Sequence, residues 1–318
     1  MPDTISSISK LLFNTIFAKG KNMLKIMGRD FVKFLKTKPL YFLCSFLYYI
    51  LASSIFGLPE GLLLAGIFYI VSIFIAFSPL GEILLRILEH VRKIETKQEK
   101  EYLLPLFQEV YEQAKRKNPE LGKIELCVID KITVNACAVG KRTIAVTKGA
   151  IATFSPDELK ALMAHEIAHI LYGDTIAKIY ALIGNGFFTI FVLSTNIFIM
   201  IAEWIESLFK KTSGFNFALF FVTLVRFIFN LFVITISFLM QIVMSIYSRT
   251  SEYRADSYAY ELGYGEELVK TFYLLEKMQL SDNLTIIQQM TKDHPRITAR
   301  IGRLEILLDQ EEAIQTAP

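Results

Sequence analysis

The sequence predicts a multi-pass α-helical membrane protein bearing a mostly helical α+β domain with a small sheet. Three observations lead there. Four charge-free apolar runs occupy residues 40–58, 61–80, 179–202 and 227–248. Two polar stretches, 81–178 and 249–318, lie after the first pair of runs and after the second. Within the first polar stretch, a capped helix begins at Ser155 and ends at Gly173.

Each apolar run reaches about 20 residues, and at about 1.5 Å per residue that spans a hydrocarbon core of about 30 Å. The composition, 53% apolar, argues against a purely soluble fold. Pro59 and Glu60 alone separate the first two runs, so residues 40–80 should form a hairpin that enters and leaves by one face. Ahead of it stand Lys10, Lys19, Lys21, Lys25, Arg29, Lys33, Lys36 and Lys38 against only Asp3 and Asp30. This positive bias places the N-terminus in the cytoplasm, and the 81–178 stretch with it. A second hairpin, 179–248, returns the chain to the same side. The expected location is the cell membrane, with the lipid bilayer as a partner.

The opening residues lack a compact apolar core followed by a small-residue cleavage site, so no signal peptide is expected. Residues 1–39 form a basic amphipathic segment. It reads either as a helix lying on anionic lipid or as a basic tail that sets topology. A net charge of +3 is too small to imply nucleic acid, and the basic residues cluster beside apolar runs. Cys44, Cys127 and Cys137 show no ligand or bridge spacing and read as structural thiols.

In the first polar stretch, residues 82–117 read as mostly helical, with the charged run 92–101 exposed and Asn118-Pro119 as the stop. Strands are expected at 124–129 and 143–146, with 135–139 extended between them and Gly140-Lys141 as a turn. Ser155 as N-cap, Pro156 and Glu158 make a capping box. In the second stretch, Ile297, Ile301, Leu304 and Leu308 form one helical stripe. The two stretches are expected to fold together as one split domain.

His165-Glu166-Ile167-Ala168-His169 carries the sharpest chemistry. At i and i+4 the two imidazoles share one helical face and can chelate one zinc, about 2.1 Å from each nitrogen. Glu166 can take a proton from a zinc-activated water and pass it to a leaving amine, which points to peptide-bond hydrolysis. One Zn2+ per chain is expected. Two histidines leave it short of a third protein ligand, and Glu252, in Ser251-Glu252-Tyr253-Arg254-Ala255-Asp256, is the best candidate. Asp256 shares its face and could accept a hydrogen bond from a ligand imidazole. Spacing alone would equally make Glu252 and Asp256 a charged helix surface. Asp174 reads as a partner of His169 or as an ordinary helix-end residue. His90 reads as part of a solvated charged helix, and Arg226 as a residue snorkelling near one interface on a helix that continues to Glu252.

The order Asn-Ala-x-Ala-x-Gly from Asn135, HEIAH, and Ser-Arg-x-x-Glu-Tyr-x-Ala-Asp after the second hairpin resembles the HtpX-type membrane metallopeptidases, relatives of the CAAX prenyl proteases. The likeness covers roughly residues 40–310. It implies a zincin-like, gluzincin-type catalytic domain, with Glu252 as third zinc ligand and Asp256 as a supporting residue. Asn135 and Ala136 match an edge strand that pairs with substrate backbone. Cys137 and Val139 stand where the family often has Phe and Thr. Asp293-His294-Pro295 resembles a late His-Pro motif, which makes His294 a candidate oxyanion donor, or simply a helix start. The resemblance implies a polypeptide substrate, in particular misfolded or damaged membrane proteins. A CAAX-type prenyl protease and a non-catalytic membrane scaffold are the alternatives.

Overall fold

A computed structural model describes residues 23–53, 59–180, 182, 186–209, 217–279 and 295–315. The chain is mostly helical, with one four-stranded sheet. Helix α1 (residues 23–37) leads into α2 (Pro39–Ser53) and α3 (Glu60–Phe77). Large apolar side chains of α3, among them Leu63, Ile67 and Ile70, point outward, while Gly61, Ala65, Ser72 and Ala76 face inward. This is the pattern of a helix packed on small residues inside an apolar solvent. Polar pairs are satisfied within the same layer: Ser45 and Tyr180 hydroxyls meet at 2.7 Å, and Tyr49 and Ser72 at 2.8 Å. Among the described residues, two helices are long and apolar enough to cross a membrane, α3 and the one that runs on from Thr223.

The helix of the second apolar run ends earlier than its composition suggests. Ser78 adopts an extended conformation, its hydroxyl accepts from the Leu80 amide, and Pro79 opens a new helix, α4 (Pro79–Leu88). Leu80 therefore belongs to α4 and not to the span. Residues 82–117 are likewise not one helix. His90, at φ 55°, turns the chain into β1 (Val91–Lys93) before α5 (Lys97–Lys117) starts at a Thr96/Glu99 capping box. His90 thus sits at a left-handed turn and not on a charged helix. The charged run is fixed because Arg92 binds Glu99 at 2.6 Å and Asp130 at 2.7 Å.

Next come β2 (Glu125–Ile129), β3 (Ala136–Val139) and β4 (Thr143–Thr147). The sheet order is β1-β2-β4-β3, with β2 and β4 parallel and the other pairs antiparallel. That order leaves β3 at the edge. Short helix α6 (Lys148–Thr153) precedes α7 (Pro156–Tyr172), which is capped by Ser155 and Glu158 and closed by Gly173 at φ 74°. Helices α8 (Asp174–Ile179), α9 (Gly186–Phe209) and α10 (Phe217–Ala259) follow. After a kinked turn at Tyr260–Tyr264 come α11 (Gly265–Gln279) and α12 (Ile297–Gln315).

One apolar core is shared by residues distant in the chain: Leu103 and Val110 of α5, Ile144 and Val146 of β4, Met163 and Ile167 of α7, Tyr258 of α10, Leu268 of α11 and Leu304 of α12. Helix α1 packs on this body as well. Its Phe34 is buried, Lys33 donates to the Leu171 carbonyl at 2.7 Å, and Asp30 pairs with Lys141 at 2.6 Å.

Candidate metal centre

Helix α7 presents His165, Glu166 and His169 at its buried face, and α10, near its C-terminal end, brings Glu252 and Asp256 against them. The His165 and His169 Nε2 atoms lie 3.1 Å apart. Glu252 Oε2 lies 3.3 Å from His165 Nε2, and Oε1 lies 3.5 Å from His169 Nε2. Three donors at about 2.1 Å from one tetrahedral ion would be separated by about 3.4 Å, so the triangle fits zinc. Two imidazole nitrogens facing each other so closely need a proton or a cation between them. Two nitrogens and one carboxylate form the donor set of a zinc site that keeps a fourth position open.

Each imidazole is held from behind. His165 Nδ1 lies 2.9 Å from Asp256 Oδ1, and His169 Nδ1 lies 3.3 Å from Asp174 Oδ2. Such carboxylates orient a ring and fix which nitrogen faces the metal. Asp256 is gripped by Arg300, whose Nε and Nη2 donate at 2.8 and 2.6 Å, while Arg300 Nη1 lies 3.1 Å from Glu252. The guanidinium also covers the Phe272 ring at 4.2 Å. Asp174 accepts from Arg254 at 2.8 and 2.9 Å and pairs with Lys38 at 3.3 Å.

The charge states follow from this packing. Burial opposes a charged His165, but the Asp256 and Glu252 carboxylates outweigh it and push the imidazole up to about 9. His169 is raised too: burial acts against it, and Asp174 and Glu252 overcome it. Burial would raise Asp174, yet His169, Lys38 and Arg254 hold it well below the usual carboxylate range. Asp256 is lowered against its burial by Arg300 and His165. Carboxylates thus surround both imidazoles, while Arg300 balances Asp256 and Arg254 and Lys38 balance Asp174 from behind.

Glu166 faces the edge strand: its Oε2 accepts from the Ala138 amide at 2.7 Å. Thr147 N donates to the Asn135 carbonyl at 3.0 Å, so Asn135 turns its carbonyl inward to β4. By strand alternation, the backbone groups of Ala136 and Ala138 point to the open edge. A cavity of about 800 Å3 opens beside this edge, lined by Asn135, Cys137 and Ala138 and running to Tyr41, Met240 and Met244 among the apolar helices.

The structure thus brings together His165, Glu166, His169, Glu252, Asp256 and Asp174, with Ala136 on the neighbouring edge strand and Asn135 immediately ahead of it. His294 lies outside the described residues, as does the side chain of Arg226. The sequence assigned Arg300, Arg254 and Lys38 no role at this centre, and counted Lys38 only among the basic residues that set topology. Arg300 could have been found, because it sits three residues after Ile297 on the stripe read as buried. An arginine on a buried stripe needs anionic partners. Lys38 and Arg254 carry no comparable signal.

The sequence pattern of peptidase family M48 matches residues 97–307. Protease HtpX of Pseudomonas entomophila is 31% identical over 163 residues, covering 49% of each chain. Protease HtpX of a Psychrobacter species is 27% identical over 226 residues, 63% of this chain and 69% of that one. The chain spans about half the length of the first of these relatives. The crystal structure of S. mikatae Ste24p aligns over 94% of this chain and 65% of its own, at 22% identity and a TM-score of 0.45. With two thirds of its length matched by that pattern, the chain belongs to peptidase family M48.

Proposed function

We propose that the protein is a multi-pass, membrane-embedded zinc endopeptidase. In this reading the split domain of residues 81–178 and 249–318 faces the cytoplasm and hydrolyses peptide bonds of misfolded or damaged membrane proteins. The observation that carries it is the buried triangle of His165, His169 and Glu252 beside Glu166, itself hydrogen-bonded to an open strand edge. His165, His169 and Glu252 would hold the zinc, which when bound would supply Lewis acidity for the scissile carbonyl and lower the pKa of a water.

The chain's own groups do the rest. Substrate backbone adds to the outer edge of β3, pairing with the free groups of Ala136, while Asn135 flanks the entry. Glu166 takes the proton of the attacking water and delivers it to the amide nitrogen as the peptide bond breaks. Asp256 and Asp174 keep both imidazoles oriented, and Arg300 holds Asp256 in place. His294 is the proposed donor to the developing oxyanion.

Purified protein is expected to cleave an unfolded membrane protein, with cleavage abolished by a chelator and restored by zinc. Glu166→Gln should keep stoichiometric zinc and lose activity by about 10^2 to 10^4-fold. Normal turnover by that variant would remove Glu166 from the mechanism, and no cleavage by zinc-loaded wild type would favour a scaffold. The cavity running from β3 to Tyr41 and Met240 supports a second reading, a protease for lipid-modified C-termini. Faster cleavage of a prenylated peptide than of its unmodified form would favour it.

A further inference from the structure

Helix α4 carries its amphipathicity inside out. Leu80, Ile83, Leu84, Ile87 and Leu88 stand at i, i+3, i+4, i+7 and i+8, the spacing of a buried helical face, yet all five are exposed, Ile87 to 64% and Leu88 to 55%. The polar residues of the same helix point the other way, into the catalytic body. Glu82 accepts from Thr143 Oγ1 at 2.6 Å and from the Lys141 amide at 3.0 Å, and Arg86 donates to Glu125 at 2.8 Å. The helix is therefore fixed to β2 and β4 by its polar side and offers a continuous apolar stripe outward. A soluble domain does not leave such a stripe uncovered.

What covers it is indicated by its place in the chain. The stripe begins at Leu80, two residues after Ser78, the cap that closes α3, so it extends the outward apolar surface of a helix long and apolar enough to cross a membrane. Ile132 is likewise exposed, to 94%, and its neighbour Lys131 pairs at 3.2 Å with Glu89 at the end of α4. Exposed Lys93, Lys100 and Lys123 line one groove with Ile83, giving the surroundings the positive charge that anionic headgroups attract. We infer that α4 lies in the plane of the membrane interface, its stripe sunk to the boundary between headgroups and acyl chains. It thereby sets the height at which the β3 edge and the metal centre stand above the bilayer. The inference rests on the membrane reading above and adds a specific contact to it.

The test uses the full chain reconstituted in vesicles of phosphatidylcholine and phosphatidylglycerol. Trp204→Phe removes the one native tryptophan. Single Ile83→Trp, Ile87→Trp and, as a reference in α3, Ile67→Trp substitutions then report depth through brominated lipids. Ile83→Trp and Ile87→Trp should emit at short wavelength and resist aqueous iodide. They should also lose roughly half their intensity to lipids brominated near the headgroup, as expected for a side chain about 5–10 Å into the boundary. Ile67→Trp should respond best to bromine deep in the chains. Iodide-sensitive, lipid-insensitive emission at 83 and 87, with Ile67→Trp quenched by lipid, would overturn the inference and leave the membrane reading intact. Blue-shifted emission insensitive to lipid, in a protein that cross-links as a dimer, would mean that a second copy covers the stripe, which also overturns it. An Ile67→Trp reading insensitive to lipid would defeat the membrane reading itself.

Discussion

Glu252 reaches the two histidines from more than eighty residues further along the chain, and its substitution isolates the third ligand from the chemistry of Glu166. Glu252→Ala leaves two imidazoles, and a two-ligand site holds zinc far more weakly than a three-ligand one. Metal analysis should therefore find well below one zinc per chain, where Glu166→Gln retains it. Stoichiometric zinc at native affinity in Glu252→Ala would send the search for the ligand elsewhere. At this scale the sequence was legible wherever helix periodicity did the placing: His165 and His169 share a face by spacing, and so do Glu252 and Asp256. It was silent where a partner comes from a remote element. Lys38 meets Asp174 only because α1 and α2 pack beside α8, and Arg254 reaches Asp174 at 2.8 Å across the joint between α10 and α8. No local pattern encodes those meetings.

At the scale of elements, the clearest surprises sit at junctions. Strand β1 is three residues long, two of them charged, so its alternation is too short to read. Its strand character comes from pairing with β2 and from the Arg92 clamp on Glu99 and Asp130. That clamp makes a pH prediction. Hydrogen bonds from Arg92, against slight burial, hold Glu99 down to about 2 from an ordinary 4.5. A carboxyl depressed in the folded state contributes stability above its unfolded value and loses it as pH falls through the folded one. Glu99→Gln keeps a capping side chain but no charge. Its thermal midpoint should therefore lie below wild type at neutral pH, and the gap should close as pH falls from about 4.5 towards 2. A gap that stays constant over that range would show that the pair adds nothing. The β3–β4 turn makes a second one. Gly140 has φ 69°, and a Cβ there would stand 2.7 Å from Glu82 Cβ. Gly140→Ala should cost about 1–3 kcal/mol in unfolding and displace the Ala138 amide from Glu166, lowering activity as well. An unchanged midpoint would mean that the turn relaxes freely. The turn was readable from Gly140-Lys141, and Ser78-Pro79 carries the same cap-and-proline signal as Ser155-Pro156, hidden within a run read by its hydropathy alone; the packing of α4 against the turn is a long-range contact that no local pattern encodes.

For the whole molecule, the decisive geometry is that of α10. Its 43 residues make about 64 Å of helix, twice a hydrocarbon core of about 30 Å. One helix can thus cross the bilayer in its first half and still carry Glu252 to α7 in its second. Both halves of the polar sequence then share one core, as Met163, Tyr258 and Leu304 do, only if α9 and α10 leave and return by the same face. This sets a topological condition that labelling can check. In a chain freed of Cys44, Cys127 and Cys137 by alanine substitution, Ser213→Cys lies in the stretch joining α9 to α10 and Glu266→Cys at the exposed start of α11. A membrane-impermeant maleimide added to intact cells should label Ser213→Cys and spare Glu266→Cys, and opening the cells should expose the second. If both react from one side, α9 and α10 do not form a crossing pair. The metal centre would then be assembled by a helix lying along the membrane and not by one that passes through it.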